Sequence, residues 1–269
     1  MTIDTSPATE AATAPAPAGA SAAATAIAGA SAAVPHPTAR IGDRPVELVV
    51  LDMAGTTVRD DGLVERAFAL AAERAGFAPE GEERERALDY VRETMGQSKI
   101  AVFRVLTGDE ELAQRANAEF EGAYAELVGE LGVSAIDGAL ETVRLLRASG
   151  VAVALTTGFA PSTRDALLDA LGWHDLADVA LAPAEAGRGR PHPDLPLTAL
   201  LRTGAGSVGS MVVVGDTQSD IGSGLAAGAG LVVGVLTGTH DRAELEAAGA
   251  HAVIDSVADL PALLGLDEA

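Results

Sequence analysis

Val46-Glu47-Leu48-Val49-Val50-Leu51-Asp52-Met53-Ala54-Gly55-Thr56-Thr57 decides how this 269-residue chain folds. The run from Leu48 to Leu51 is unbroken, apolar and valine-rich. It is too short for a helix and lacks polar alternation, so it reads as a strand buried on both faces. It ends at a carboxylate and a loop of Gly and Thr. The same design returns downstream. Residues 151–155 end at Thr156-Thr157-Gly158, and residues 211–214 end at Gly215-Asp216. Further strands read over 179–181, 231–235 and 252–254, with helices over 136–148, 162–171, 193–202, 221–227 and 242–248 between them. A last short helix closes the chain. The alternation predicts an α/β protein with a Rossmann-like, doubly wound parallel sheet. Ligands of such sheets bind beyond the C-terminal strand ends, where Asp52, Thr157 and Asp216 fall.

Residues 61–134 read differently. Val64, Phe68 and Ala71 keep one helical face. Leu88, Val91 and Met95 keep another, and Leu112, Ala116, Phe120, Tyr124 and Leu127 keep a third. No strand interrupts them. The expected organisation is a core of residues 45–60 and 135–269, with an all-helical domain of residues 61–134 inserted after the first strand. Residues 1–44 are Ala/Pro/Ser/Thr low complexity and are expected to form a disordered tail.

Composition narrows the function. The chain is 48% hydrophobic but only 3% aromatic, so its core is expected to be built from Ala, Val, Leu and Ile. A net charge of −21 argues against nucleic acid and against anionic membrane surfaces as partners. No run reaches the roughly 20 apolar residues of a membrane span. The first charges are acidic, which does not suit a signal peptide. Cysteine is absent, so there is no disulfide and no thiolate metal site, which suits a cytoplasmic protein.

Taken alone, Asp52 serves equally as a nucleophile, a metal ligand or a turn cap. The amides of its loop and the Thr56 hydroxyl suit phosphoryl oxygens. Asp216 and Asp220 lie four apart at a helix start. There they suit a hard cation such as Mg²⁺, and Asp220 equally suits a helix cap. Thr157 and Gly158 offer a hydroxyl and an amide at a third strand end. Arg190 or Arg188 offers a guanidinium fork for an anion, and spacing does not choose between them. Lys99 is the only lysine among 18 basic residues. A guanidinium cannot become an amine nucleophile, whereas an ε-amine can.

In this order, Asp52-Met53-Ala54-Gly55-Thr56-Thr57, Thr157-Gly158, Gly189-Arg190-Pro191 and Gly215-Asp216-x-x-x-Asp220 resemble the four motifs of the haloacid dehalogenase superfamily. The helical insert sits where that superfamily carries its cap, and the resemblance leaves only the tail outside. Two departures stand out. A second Asp usually follows the nucleophile by two residues, where this chain has Ala54. The usual lysine before the last motif is Arg190. Both resemble the phosphonatase branch, phosphonoacetaldehyde hydrolase and its phosphonatase-like relatives, as does the cap sequence Met95-Gly96-Gln97-Ser98-Lys99.

The resemblance implies a Mg²⁺-dependent hydrolase. Lys99 would form a Schiff base with an aldehyde-bearing phosphonate, and Asp52 would attack phosphorus to give an aspartyl-phosphate. Asp52, the Ala54 carbonyl, Asp216 and Asp220 would hold the metal; Thr56, Met95, Thr157, Gly158 and Arg190 would hold the substrate. The chemistry is coherent. The missing second Asp protonates a leaving oxygen in phosphatases, a general-acid role worth roughly 10²–10⁴-fold. Cleavage of a C–P bond needs an electron sink instead, which an iminium supplies. Other departures point to the phosphonatase-like group rather than the hydrolase proper. Val102 stands where the hydrolase has a histidine, Phe159 stands where an aromatic hydroxyl is expected, and the family's cysteine is missing. A phosphoglycolate phosphatase-type enzyme and a non-catalytic phosphate- or metabolite-binding protein are the alternatives. Pairing of relatives through their caps implies a homodimer.

Overall fold

The computed structural model describes residues 38–78 and 80–266. A short antiparallel hairpin, β1 (Arg40–Ile41) and β2 (Arg44–Pro45), leads into β3 (Leu48–Asp52). Four helices follow: α1 (Leu63–Ala75), α2 (Glu82–Glu93), α3 (Lys99–Thr107) and α4 (Glu110–Leu131). The chain then alternates through α5 (Ala139–Ala148), β4 (Ala152–Thr156), α6 (Pro161–Leu171), β5 (Val179–Leu181), α7 (Pro183–Ala186) and α8 (Asp194–Thr203). It closes with β6 (Met211–Gly215), α9 (Gln218–Ala227), β7 (Leu231–Val235), α10 (Arg242–Ala247), β8 (Ala252–Ile254) and α11 (Leu260–Leu263).

The six-stranded sheet has the order β5-β4-β3-β6-β7-β8 and is parallel throughout. Every residue of β3 and β6 is buried, as their continuous valine runs predict. The register sets Asp52 beside Thr156 and Leu51 beside Val214. The strand order reverses at β3, so a crevice opens there at the C-terminal ends. Thr157, Asp52 and Asp216 all emerge around it.

The tail expectation is corrected at its boundary. Residues 38–44 belong to the fold. Ala39 is fully buried, its carbonyl accepts from the Val46 amide at 2.9 Å, and the Arg40 amide donates to the Leu264 carbonyl at 3.0 Å. Gly42, with φ +57°, makes the turn that lets the chain fold back. Residues 1–37 lie outside the described residues. Two helix starts also move. α5 begins three residues later than its pattern suggests, because Gly138 at φ +79° forms its entry and approaches Ala258. α9 begins three residues earlier, because Thr217 and Asp220 form a capping box.

The aliphatic-core expectation describes the sheet but not the insert. All five phenylalanines of the chain join one row with Tyr124. Phe68 stacks on Phe103 at 5.5 Å, Phe103 meets Phe120 at 6.0 Å, and Tyr124 meets Phe159 at 4.7 Å. Phe159 follows β4, so the row runs from the insert's interior to the sheet. Among the described residues no helix is long and apolar enough to cross a membrane.

Phe120 touches Phe103, Tyr124 and Phe159 and is 1% exposed. Phe120→Ala is expected to cost about 3–5 kcal/mol in urea unfolding. A loss under about 1 kcal/mol would mean that the row is not packed as described.

Candidate active site

Asp52 ends β3 and is buried. It lies in a cluster with Asp216 and Asp220, whose carboxylate oxygens come within 4.8 Å of one another. Three buried carboxylates repel, and the surrounding groups show how they are held. Arg190 is buried between two of them. One arm of its guanidinium pairs with Asp52 and the other with Asp220. Burial pushes the Asp52 carboxyl well above its ordinary range, against the opposing pull of Arg190. Asp216 has no ion pair among the described residues. Its oxygens accept from the Thr56 hydroxyl at 3.2 Å and the Thr239 amide at 2.8 Å. Burial, reinforced by the charge of Asp220, raises its carboxyl to about 7. The backbone crowds this carboxylate, since a Cβ on Gly55 would lie 2.5 Å from Asp216 Oδ2. An all-oxygen cluster with more negative than positive charge is a fit for a hard divalent cation.

Of the two alternatives left open by its spacing, Asp220 takes the capping one, and it gains a partner the spacing did not indicate. It caps α9, accepting from the amide and hydroxyl of Thr217, and also binds Arg190. Both oxygens are thereby engaged, one of them by a guanidinium, which leaves Asp52 Oδ2 and the two oxygens of Asp216 as the cluster's donors that face no cation among the described residues. Between the two arginines the structure chooses clearly. Arg188 is exposed and pairs with Asp194 at 2.9 Å. Arg190 lines the cavity, but its fork clamps carboxylates rather than standing free for an anion. Thr56 is a correction of the same kind. Its side chain is fully buried and turned to Asp216, so it positions a carboxylate and does not line the cavity.

The helical insert closes over the cluster through residues 96–98. The Lys99 amide donates to the Gly158 carbonyl at 3.2 Å. A Cβ on Gly158 would lie 2.5 Å from the Gln97 carbonyl, and one on Gly189 would lie 2.6 Å from Ser98 Cβ. Gly96, at φ +83°, passes so close to the Thr217 side chain that no larger residue fits. Glycine is therefore required on both sides of the contact. This docking brings Lys99 to the strand ends at 7% exposure. Its Nζ lies 4.0 Å from Met95 Sδ and 5.7 Å from the centre of the Phe159 ring. Burial lowers its basicity to about 8, with Asp60 opposing the shift and Arg190 adding to it.

A cavity of about 580 Å³ opens above the cluster. Asp52, Ala54, Met95, Lys99, Thr157, Gly158 and Arg190 line it, and Asp216 and Asp220 lie beneath. Thr157 accepts the Phe159 amide on its hydroxyl at 3.2 Å. Asp60, His240 and Thr239 also line the cavity and were not singled out from the sequence. The Asp-Asp pair before the first insert helix was the one available signal, and it reads as an ordinary turn.

A buried carboxylate at a central strand end, clamped by a basic residue and roofed by an inserted helical unit, defines a class of enzyme. The model of haloacid dehalogenase-like hydrolases matches residues 46–228, and the chain belongs to that family. Within it, the chain is 30% identical to phosphonoacetaldehyde hydrolase from Hahella chejuensis, over 81% of this chain and 85% of that protein. It is 26% identical to a probable phosphatase, IndB, from Dickeya dadantii, over 79% of this chain and 91% of that one. A phosphonoacetaldehyde hydrolase-like protein from Oleispira antarctica superposes with a TM-score of 0.70 at 28% identity, covering 82% and 92% of the two chains.

Two outcomes follow from this geometry. Millimolar Mg²⁺ is expected to raise the unfolding midpoint of metal-stripped protein by mass action. Asp216→Asn should abolish that rise; an equal rise in the variant would remove Asp216 from the metal site. Gly158→Ala should lower kcat/KM at least ~10-fold through misplacement of the insert loop, with far-UV circular dichroism unchanged. Wild-type kinetics would show that the close approach is dispensable.

Proposed function

We propose that this hydrolase cleaves the C–P bond of a small aldehyde phosphonate, phosphonoacetaldehyde or a close analogue, using Lys99 and Asp52. The observation that carries the reading is the buried amine of the only lysine, in one cavity with the strand-end carboxylate and with its basicity lowered to about 8. Near neutral pH such an amine is partly unprotonated and nucleophilic. It attacks the aldehyde carbon and, with uptake of one proton and loss of water, gives an iminium. Asp52 Oδ2 then attacks phosphorus. The P–C bond breaks, and its electron pair flows into the iminium to give an enamine. Protonation of the enamine carbon and hydrolysis release the aldehyde, while water releases phosphate from Asp52. Ala54 fits this sequence, since no leaving oxygen has to be protonated.

Asp52, the Ala54 carbonyl and Asp216 are the groups to hold Mg²⁺, with Asp220 steadying Arg190 and Thr217 beside them. When bound, the ion supplies positive charge for the phosphonyl oxygens. The Gly158 amide and the Thr157 side chain stand at the neighbouring strand end, where an oxyanion is to be held. Met95 Sδ stands 4.0 Å from the Lys99 amine, an apolar neighbour that favours its uncharged form.

A phosphomonoesterase reading is favoured by one observation. Val102, one turn along α3 from Lys99, is buried and apolar, so that face of the helix gives the amine no proton-transfer partner. Trapping decides between the readings. Borohydride added to protein, Mg²⁺ and phosphonoacetaldehyde should leave a mass adduct on the Lys99 peptide. Its rate should rise with pH through a midpoint near 8, because the neutral amine is the attacking form. Lys99→Arg should form no adduct and release no phosphate from the phosphonate. Phosphate release from a phosphoglycolate-type ester with no adduct from any aldehyde would establish the phosphatase reading instead.

A further inference from the structure

An iminium forms only if protons move: one leaves the nitrogen, and two reach the oxygen that departs as water. The amine therefore needs a group beside it that both takes and gives a proton. The insert holds no histidine, since the five in the chain stand at positions 36, 174, 192, 240 and 251. Of the carboxyls that line the cavity with Lys99, Asp61, Glu93 and Glu244 are exposed and Glu65 is paired with Arg92. Arg190 does not release protons, Asp52 is the nucleophile, and His240 is turned to the Gln218 amide, from which its Nδ1 accepts. Asp60 remains. We infer that the Asp60 carboxyl is the proton-transfer partner of Lys99 in imine formation. The inference rests on the imine reading above.

The placement of Asp60 supports the role. It lies on the segment between β3 and α1, at the hinge between sheet and insert, and lines the same cavity as Lys99. Its Oδ1 accepts from the Val64 amide at 3.3 Å and its backbone carbonyl from the Leu63 amide at 2.8 Å, which fix it against the start of α1. Among the surrounding charges it is the one that most supports a proton on Lys99. Burial raises its own carboxyl, so the acid form is accessible nearer neutral pH, with Asp61 pushing the same way.

The step balances. The neutral amine attacks the aldehyde carbon, and a proton passes from nitrogen to the oxygen through the carboxyl. The carboxylic acid then donates its proton to the carbinolamine hydroxyl. The C–O bond breaks, water departs, and the nitrogen lone pair forms the C=N bond. Asp60 ends as a carboxylate facing the iminium cation it has helped to form.

The test uses the full chain with Mg²⁺ and phosphonoacetaldehyde, quenched with borohydride at timed intervals. The readouts are the adduct on the Lys99 peptide and the phosphate in the same aliquots. Asp60→Asn keeps an oxygen for the Val64 amide but cannot donate as an acid. It is expected to slow adduct formation by about 10²–10⁴-fold, with an unchanged unfolding midpoint, and Asp60→Glu should restore most of the rate. Should Asp60→Asn unfold, Asp60→Ser keeps a capping oxygen without a carboxyl and carries the same comparison. An adduct that forms as fast in the variant as in wild type overturns the inference and leaves the imine reading standing. No adduct in wild type overturns both. Loss of phosphate release from an ester, with adduct formation intact, would make Asp60 a leaving-group acid and also overturn it.

Discussion

The Lys99 amide donates to the carbonyl of Gly158, and the architecture of the site depends on this contact. It joins the insert to the strand ends where residues 96–98 approach Gly158, Gly189 and Thr217. Side chains on Gly96, Gly158 or Gly189 would force the two apart. The ring row from Phe68 to Phe159 lies behind the contact and makes the approach one packed surface rather than a loop resting on a sheet. An amine drawn from one unit and a carboxylate from another thereby share a cavity.

Electrostatics then divides the work. Burial disfavours charge on every group here, raising the carboxyls of Asp52 and Asp216 and lowering the amine of Lys99. Arg190 offsets the cost for Asp52 and Asp220 by pairing with both. Removing it would leave two buried carboxylates unpaired, a loss of about 3–5 kcal/mol. Asp216 has no such partner, and that imbalance is the structural argument for a cation. Unlike Arg190, Lys99 carries a charge that is adjustable near neutral pH. An amine placed for attack has to be of this kind.

Much of this was legible in the residues. Continuous valine runs marked β3, β4, β6 and β7, because a strand buried on both faces has no polar alternation to confuse it. Asp52, Thr157 and Asp216 were placed at strand ends by the same runs. The rest depended on contacts distant in sequence. That Thr56 turns to Asp216, and that Arg190 rather than Arg188 enters the site, follows from the approach of segments far apart in the chain. Asp60 carries no motif in the sequence, and only the folded chain sets it in one cavity with Lys99. The aromatic row escaped a composition argument for a related reason. Few rings suffice when all five phenylalanines are gathered in one place, and a percentage carries no location.

The central claim is that the absence of a carboxyl at position 54 and the presence of an amine at position 99 belong to one chemistry, in which the leaving atom is carbon. The most direct measurement is kcat/KM for phosphate release by one Mg²⁺-loaded preparation from phosphonoacetaldehyde and from phosphoglycolate. A general acid at the leaving oxygen is worth roughly 10²–10⁴-fold, and this site lacks the usual one. The account predicts a preference for the phosphonate of at least ~100-fold. Equal or greater efficiency on the ester would contradict it.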